Sequence, residues 1–509
     1  MRVSTWGKVT YGLLVGVMAG CGGDGGGYGP MTPAATMTPA PTVSISQPAA
    51  AATINFGQAL TVAWTSTNTT SCTASTSSAA GGTFTGTQMT SGSQTVVPTA
   101  AGNYTYMLSC SGSGGTQSAS ASVTVTTNLL NALAPTGPIP TVGSTIDPAN
   151  GDQNPYGLTV APATAGLITQ GDLIVCNFNN ATIPATSTAP ASGNDQGTGT
   201  TIIGLHPGTG SMPYQIAQSA DLLGCDALTM LPDDSISAAA WASNLNPLVS
   251  ATGTVGKPFA SDTFNGPWGE AFVAATAMQP AALYVSTAPG NNGVVAGPGT
   301  NTSPGAIDRI SLDTNNVQTS ITEVVTGFCS GGAPGGIFGP SGLTYDPASD
   351  TLYVVDTSSA SVIALVGVST IPQDGVVVNG QCTATTPTPV PTFSGPSMAS
   401  AKVIAHGAPF NTPLSAALLK NGDLVVGNAD IGLTTPSAMT NLLIEVSPVV
   451  PGGFVGQPLQ IDTEAPGAIF GLAATVDAAG NQIIYFNDDN NAAVMQLGPV
   501  AATSTTPGY

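Results

Sequence analysis

The stretch Ile484-Tyr485-Phe486-Asn487-Asp488-Asp489-Asn490-Asn491-Ala492-Ala493-Val494 reads as a strand, a tight turn and the start of another strand. Apolar and aromatic residues suit an extended, half-buried backbone. Asn and Asp bond to their own backbone, so the polar run between them is a turn. Phe470-Gly471-Leu472 supplies an earlier strand that leads into Ile484, which makes the whole a hairpin followed by a further strand.

The same phrase recurs upstream, and repeats at such spacing are the mark of arrayed units. Pro155-Tyr156-Gly157-Leu158 runs to Leu173-Ile174-Val175-Cys176-Asn177, Pro267-Trp268-Gly269-Glu270 runs to Leu283-Tyr284-Val285-Ser286-Thr287, and Pro340-Ser341-Gly342-Leu343 runs to Leu352-Tyr353-Val354-Val355-Asp356. Pro413-Leu414 runs to Leu424-Val425-Val426-Gly427-Asn428, and a weaker copy pairs Cys225-Asp226-Ala227-Leu228-Thr229-Met230 with Ser235-Ile236-Ser237-Ala238-Ala239. Thr201–Leu205, Ala306–Leu312 and Leu442–Val446 follow as outer strands. Six such units arranged radially make a β-propeller over residues 127–500. Irregular spacing is assigned to low-complexity insertions at 181–200, 288–305 and 369–400, expected as loops, and residues 501–509 to a disordered tail.

This region resembles the NHL-repeat type of six-bladed propeller. Asp356 and Asp488 stand at that repeat's Asp, Asn177 and Asn428 replace it with an amide, and Asn180 and Asn491 stand at its Asn. Its basic position has become Thr182, Ser361 and Ala493. Where such propellers bind RNA, the resemblance implies that those basic residues make the contact, and here they are missing. Composition excludes nucleic acid independently. Six Lys+Arg stand against 26 Asp+Glu, a net charge of −20, and the cations are scattered singly.

Residues 25–146 contain no Asp, Glu, Lys or Arg at all. Within that neutral stretch, 42–126 reads as six or seven short strands, which is the arithmetic of a small sandwich. Tyr104, Tyr106, Leu108 and Cys110 share one face of a strand. Val62-Ala63-Trp64, Cys72, Gly102-Asn103-Tyr104 and Cys110 together resemble a bacterial immunoglobulin-like domain. Cys110 lies six residues past Tyr104 and Cys72 follows Trp64, so a Cys72–Cys110 bridge would join different strands from the antibody one. The expected fold class is therefore all-β, an Ig-like β-sandwich followed by a β-propeller. Scarce Glu and Lys with abundant Thr, Ser, Val and Gly agree with it.

Arg2 and Lys8 precede a mostly apolar run that ends at Met18-Ala19-Gly20-Cys21, the pattern of a secretory signal over 1–20. Ala19-Gly20-Cys21 resembles the lipobox of bacterial lipoproteins. That implies cleavage before Cys21, its acylation (palmitate included), and a Gly/Pro/Thr tether over 21–41. Gly22 stands where Asp would favour inner-membrane retention, so the expected location is the outer membrane, facing periplasm or cell surface. The chain would touch the membrane through the lipid anchor alone. The other cysteines, Cys72, Cys110, Cys176, Cys225, Cys329 and Cys382, are even in number, as disulfides in an exported chain require. Cys72 and Cys110 lie in one small domain and are expected to pair, and proximity in sequence favours Cys176 with Cys225 and Cys329 with Cys382.

Catalytic signatures are sparse. There is no G-x-S-x-G elbow, and His206 and His406 stand where strands give way to turns. Asn487-Asp488-Asp489-Asn490-Asn491 offers oxygens suited to Ca²⁺, yet the repeat's turn already accounts for them. The enzymatic rival is a gluconolactonase-like propeller with a divalent metal at its axis. That resemblance would draw on Glu270, Asn177, Asp356, Asn428 and Asp488. Glu270 alone is not explained by the repeat, and it is read as a hydrated carboxylate facing the channel. The favoured reading has no cofactor. It is a non-catalytic binding or scaffolding module of the cell envelope, recognising an unidentified protein or glycan through propeller loops. A metal-dependent lactonase or esterase and a purely structural envelope protein are its alternatives.

Overall fold

The structure is a computed structural model that describes residues 38–499, apart from 49–51, 56–58, 100–101, 127, 184–191, 194, 260–263, 291–302, 333–335 and 381–388. The signal, Cys21, most of the tether, Cys382 and the tail lie outside the described residues.

Residues 42–126 form two facing sheets. Thr42–Gln47, Leu60–Thr67 and Gly92–Val96 make one, and Ala52–Asn55, Gly115–Thr126, Gly102–Gly112, Ser71–Thr76 and Gly86–Gln88 the other. Period-two alternation drives the packing, because Val62 and Trp64 turn inward from the first sheet and Tyr104, Tyr106, Leu108 and Cys110 from the second. Trp64, Phe84 and Tyr106 meet edge to face at 5.6 and 6.1 Å, and the buried Tyr106 hydroxyl donates to the Gly81 carbonyl at 2.6 Å. Cys72 and Cys110 are direct partners on adjacent antiparallel strands and form a disulfide within one sheet.

The rest of the chain forms a six-bladed propeller. Its inner strands are Gln153–Val160, Cys225–Met230, Pro267–Val273, Pro340–Asp346, Pro413–Leu418 and Ile469–Val476, each leading a separate antiparallel sheet. Each inner strand packs on the next, and the last packs on the first, so the ring closes. Blade 6 takes its outer strand from the opposite end of the domain. Thr141–Ser144 pairs antiparallel with Ala493–Leu497, Gly143 opposite Val494.

Hydrophobic cores lie between the blades. Ile174, Ile202, Leu228 and Ile236 fill the space between blades 1 and 2, and Leu283, Val285, Leu231 and Phe259 that between 2 and 3. Four further clusters repeat this around the ring. A disulfide between Cys176 of blade 1 and Cys225 of blade 2 spans one such junction. Cys329 is disulfide-bonded as well.

Two expectations are corrected. Within the insertion 181–200, Thr182–Ile183 pairs antiparallel with Ser192–Gly193. The insertion 369–400 is more than a loop, because Val376–Asn379 adds in parallel to the outer strand Gln318–Phe328 of blade 3 and carries Thr392–Ser394 with it. On the edge of that outer strand, Val376 and Val377 pair with Val325 and Thr326 and cover part of its free backbone.

Candidate functional site

The inner strands share a local irregularity. Each has a register shift beginning at its first phrase residue, running to the fourth at Pro155/Leu158, Pro267/Glu270, Pro340/Leu343 and Ile469/Leu472 and to the third at Cys225/Ala227 and Pro413/Ser415. Such bulges re-aim side chains beside functional sites. Registered on this bulge, the second position reads Tyr156, Asp226, Trp268, Ser341, Leu414 and Phe470 around the ring, and the fourth reads Leu158, Leu228, Glu270, Leu343, Ala416 and Leu472. The third position is small throughout: Gly157, Ala227, Gly269, Gly342, Ser415 and Gly471. A Cβ on Gly269 would stand 2.0 Å from the Ser341 carbonyl, and one on Gly471 2.4 Å from that of Tyr156. These glycines let neighbouring inner strands come close enough to leave only a narrow channel.

The channel has two chambers sharing Tyr156, Trp268, Leu414 and Phe470 as their common wall. The outer one, about 200 Å³, is completed by the loops at Gly336–Ile337, Ala429–Leu433 and Pro466–Gly467. The inner one, about 80 Å³, is bounded by the second- and fourth-position rings and holds Asp226 and Glu270. Tyr156 is sandwiched between Phe178 and Phe470, ring centres 4.2 and 4.0 Å away, and Phe470 ends the stack at the chamber wall.

Two carboxyls are held dry in the inner chamber. Neither oxygen of Asp226 has a hydrogen-bond partner, and burial pushes this carboxyl well above its ordinary range. Glu270 Oε1 accepts from Ser237 Oγ at 3.0 Å, Asn246 Nδ2 donates to the same Ser237 oxygen at 2.6 Å, and Oε2 has no partner. Burial raises the Glu270 carboxyl to about 8, opposed by the polar groups of Asn246 and Ser237 and the Thr229 backbone. Glu270 is therefore not the hydrated group expected from sequence, because Ser237 and the leucines of its ring enclose it. At the mouth, Asp489 is raised to about 7, by burial first and then by the Asp488 charge. Burial, together with the charges of Asp226 and Asp489, lifts the Tyr156 hydroxyl well above its ordinary value.

The other residues that a metal-dependent lactonase would need do not join Glu270. Asn177 donates to the Thr145 carbonyl at 3.0 Å and to Thr201 Oγ1 at 3.3 Å, and Asn428 to the Pro409 carbonyl at 3.0 Å. Asp356 accepts from Ser358 and Ser359, and Asp488 from Asn491 Nδ2 at 2.9 Å. These four sit at one register position of their second strands, opposite Pro155, Pro340, Pro413 and Ile469, and their bonds go to adjoining turns and connecting segments. Among the described residues no three His, Cys, Asp or Glu side chains group as metal ligands. The set does not fit a metal.

Sequence reasoning passed over two arrangements. Asp226 occupies the position of Tyr156 and Trp268, which alignment of the weak Cys225-Asp226-Ala227-Leu228 phrase on the stronger ones reveals. In blade 1 the buried Asp172 accepts from the Tyr214 hydroxyl at 2.6 Å and contacts His206 Nδ1 at 2.7 Å, with the imidazole 61% exposed. Nothing in the sequence joins those three, because they come from separate strands and loops. His406 ends the outer strand Ala401–His406 of blade 4.

No protein-family model matches the chain, and no curated protein matches it. Solved structures do. A catalytically inactive virginiamycin B lyase from Staphylococcus aureus with quinupristin is 12% identical over 69% of this chain and 97% of that one, TM-score 0.36. The calcium-binding protein regucalcin from Agrobacterium tumefaciens is 14% identical over 71% and 94%, TM-score 0.38. A nidogen/laminin complex is 13% identical over 61% and 81%, TM-score 0.35. Likenesses at these levels carry no argument about activity. By its own sheets and closure, the chain is an all-β protein, a sandwich followed by a β-propeller.

Proposed function

We propose that this protein is a non-catalytic binding module of the cell envelope, anchored by acylated Cys21 and receiving its ligand in the propeller's central channel. The observation that carries this reading is the outer chamber, a concave site of about 200 Å³ walled by Tyr156, Trp268, Leu414 and Phe470 and rimmed by loops. A concave cavity that sets aromatic and aliphatic walls beside polar side chains such as Asn154, Gln196, Asp430 and Asp489 can seat a small ligand, or a protruding group of a protein or glycan. The full mature chain, screened against a small-molecule library by ligand-observed NMR, should bind members that Leu414→Trp no longer binds. Binding that survives this filled chamber would place recognition elsewhere. Globomycin or Cys21→Ser should abolish anchoring, and a wild type recovered as a soluble periplasmic protein would refute the lipid assignment.

A second reading, hydrolysis of a small lactone or ester, rests on the Glu270 carboxyl in the channel. Turnover of a lactone or ester that disappears in Glu270→Gln would install it.

A further inference from the structure

Asp226 is the one acidic member of its ring, set between Tyr156 of blade 1 and Trp268 of blade 3. Its side chain is buried with both oxygens unpartnered, a costly arrangement that folding alone gives no reason to keep. No Lys, Arg or His lines either chamber, so the protein offers this carboxyl no counter-charge there. A bound cation would.

The walls decide which kind. A hard divalent ion takes six or more oxygen ligands, whereas the shared wall of the chambers is Tyr156, Trp268, Leu414 and Phe470. Aromatic faces and aliphatic carbon instead favour a weakly hydrated organic cation, drawn to the negative face of the ring and by a desolvated carboxylate. Asp489, at the mouth, adds the same sign of charge along the entry path.

We infer that the channel binds an organic ammonium group, with Asp226 as its counter-charge and the Trp268 and Phe470 rings as its apolar walls. This rests on the channel-binding reading above and names the ligand class of that site. Binding is linked to a proton. The groups facing Asp226 are Tyr156 of blade 1, Glu270 of blade 3 and, through Tyr156, Asp489 of blade 6. All are acidic, and with burial they favour the protonated form of Asp226, whereas an entering cation favours loss of that proton.

The test uses the full mature chain with choline and with its neutral carbon isostere, 3,3-dimethylbutan-1-ol, measured by titration calorimetry. Choline should bind at least about tenfold more tightly than the isostere. Its affinity should climb from pH 6 to pH 8 while that of the isostere stays level, and Asp226→Asn should erase the preference without weakening the isostere. Should that variant not fold, wild-type titrations in two buffers of different ionisation heat decide, with release of about one proton per choline expected. Equal affinity for both probes, or choline binding without proton release, overturns the inference while leaving channel binding intact. Binding of neither probe also overturns it. Binding of both that persists in Leu414→Trp defeats the channel reading itself.

Discussion

Glu445 of blade 5 caps the short helix Leu129–Leu133, its Oε2 accepting from the Leu130 backbone N–H at 2.7 Å and its Oε1 from that of Leu129 at 3.2 Å. Asn128 reinforces the contact by donating to the Val455 carbonyl at 3.0 Å. The segment that enters the propeller is thereby pinned to a blade more than three hundred residues later in the chain. Glu445→Ala leaves two N–H groups without acceptors and should cost about 1–2 kcal/mol. Cleavage by a non-specific protease between residues 127 and 135 should accelerate most in Ala and less in Gln, whose single amide oxygen can still accept from one of the two N–H groups. Equal rates in all three would deny Glu445 this role.

Stability should fall as pH rises from about 5 to 8. Burial raises Glu270 to about 8, and Asp308, Glu445 and Asp489 to about 7, with the Glu323 charge adding to Asp308 and that of Asp423 to Glu445. Each therefore holds its proton more tightly folded than unfolded. Between the ordinary carboxylate range near 4 and the raised values, the folded state binds more protons, and the slope of stability against pH is negative there. Asp233, lowered by its bonds to Ser235, acts in the opposite sense only in more acidic solution. A Tm several degrees higher at pH 5 than at pH 8 is expected by scanning calorimetry. A Tm that is flat or climbs across that window would contradict the buried-acid account.

At the third ring position, size is limiting where backbones touch. Gly269→Ala would drive a Cβ into the Ser341 carbonyl and should destabilise the propeller by about 3 kcal/mol or more. Ser415→Ala, in the same ring, removes a buried hydroxyl that has no partner and should be neutral or slightly stabilising. Urea unfolding monitored by tryptophan fluorescence distinguishes them, and equal midpoints would discredit the close-approach argument.

In the sandwich, the Cys72–Cys110 bridge spans 38 residues, and replacing both cysteines by Ala should cost about 3–4 kcal/mol in the chain-entropy account. Thermal unfolding of residues 38–126 with and without reductant checks this. A shift of less than a degree would mean that the denatured chain is already constrained there.

The propeller was legible because its inner strands carry a phrase with a physical reason at each place: Pro or a bulky residue, a channel side chain, a small residue for close packing, then an aliphatic. Blade 2 read weakly because Cys225-Asp226-Ala227-Leu228 lacks both Pro and Gly, although each place is filled equivalently. The closing strand Thr141–Ser144 was not legible. Four residues of mixed polarity carry no periodic signal, and their partner strand is the last among the described residues. Val376–Asn379 was submerged in low-complexity sequence, since parallel addition to a sheet edge depends on an exposed edge elsewhere. For the channel, Glu270 stood out as one of four glutamates, but its dryness depends on Ser237 and on leucines from other blades, which only the assembled ring brings together.

The pairing of Gly143 with Val494 also governs what an incomplete chain can become. Before residues 469–497 exist, five sheets form an open arc with two sticky flanks. Val142, Leu158, Leu173, Ile203 and Leu205 on the leading flank have no opposite wall until Ile483, Tyr485 and Val494 arrive. A nascent or truncated polypeptide would therefore display greasy surface and unpaired edge at both ends of the arc, the recipe for clumping with its own copies. Losing a handful of C-terminal blade residues should be as ruinous to solubility as losing the same number from the start of the domain, and a holdase that shields the open arc would matter most in the interval before the sixth sheet is complete.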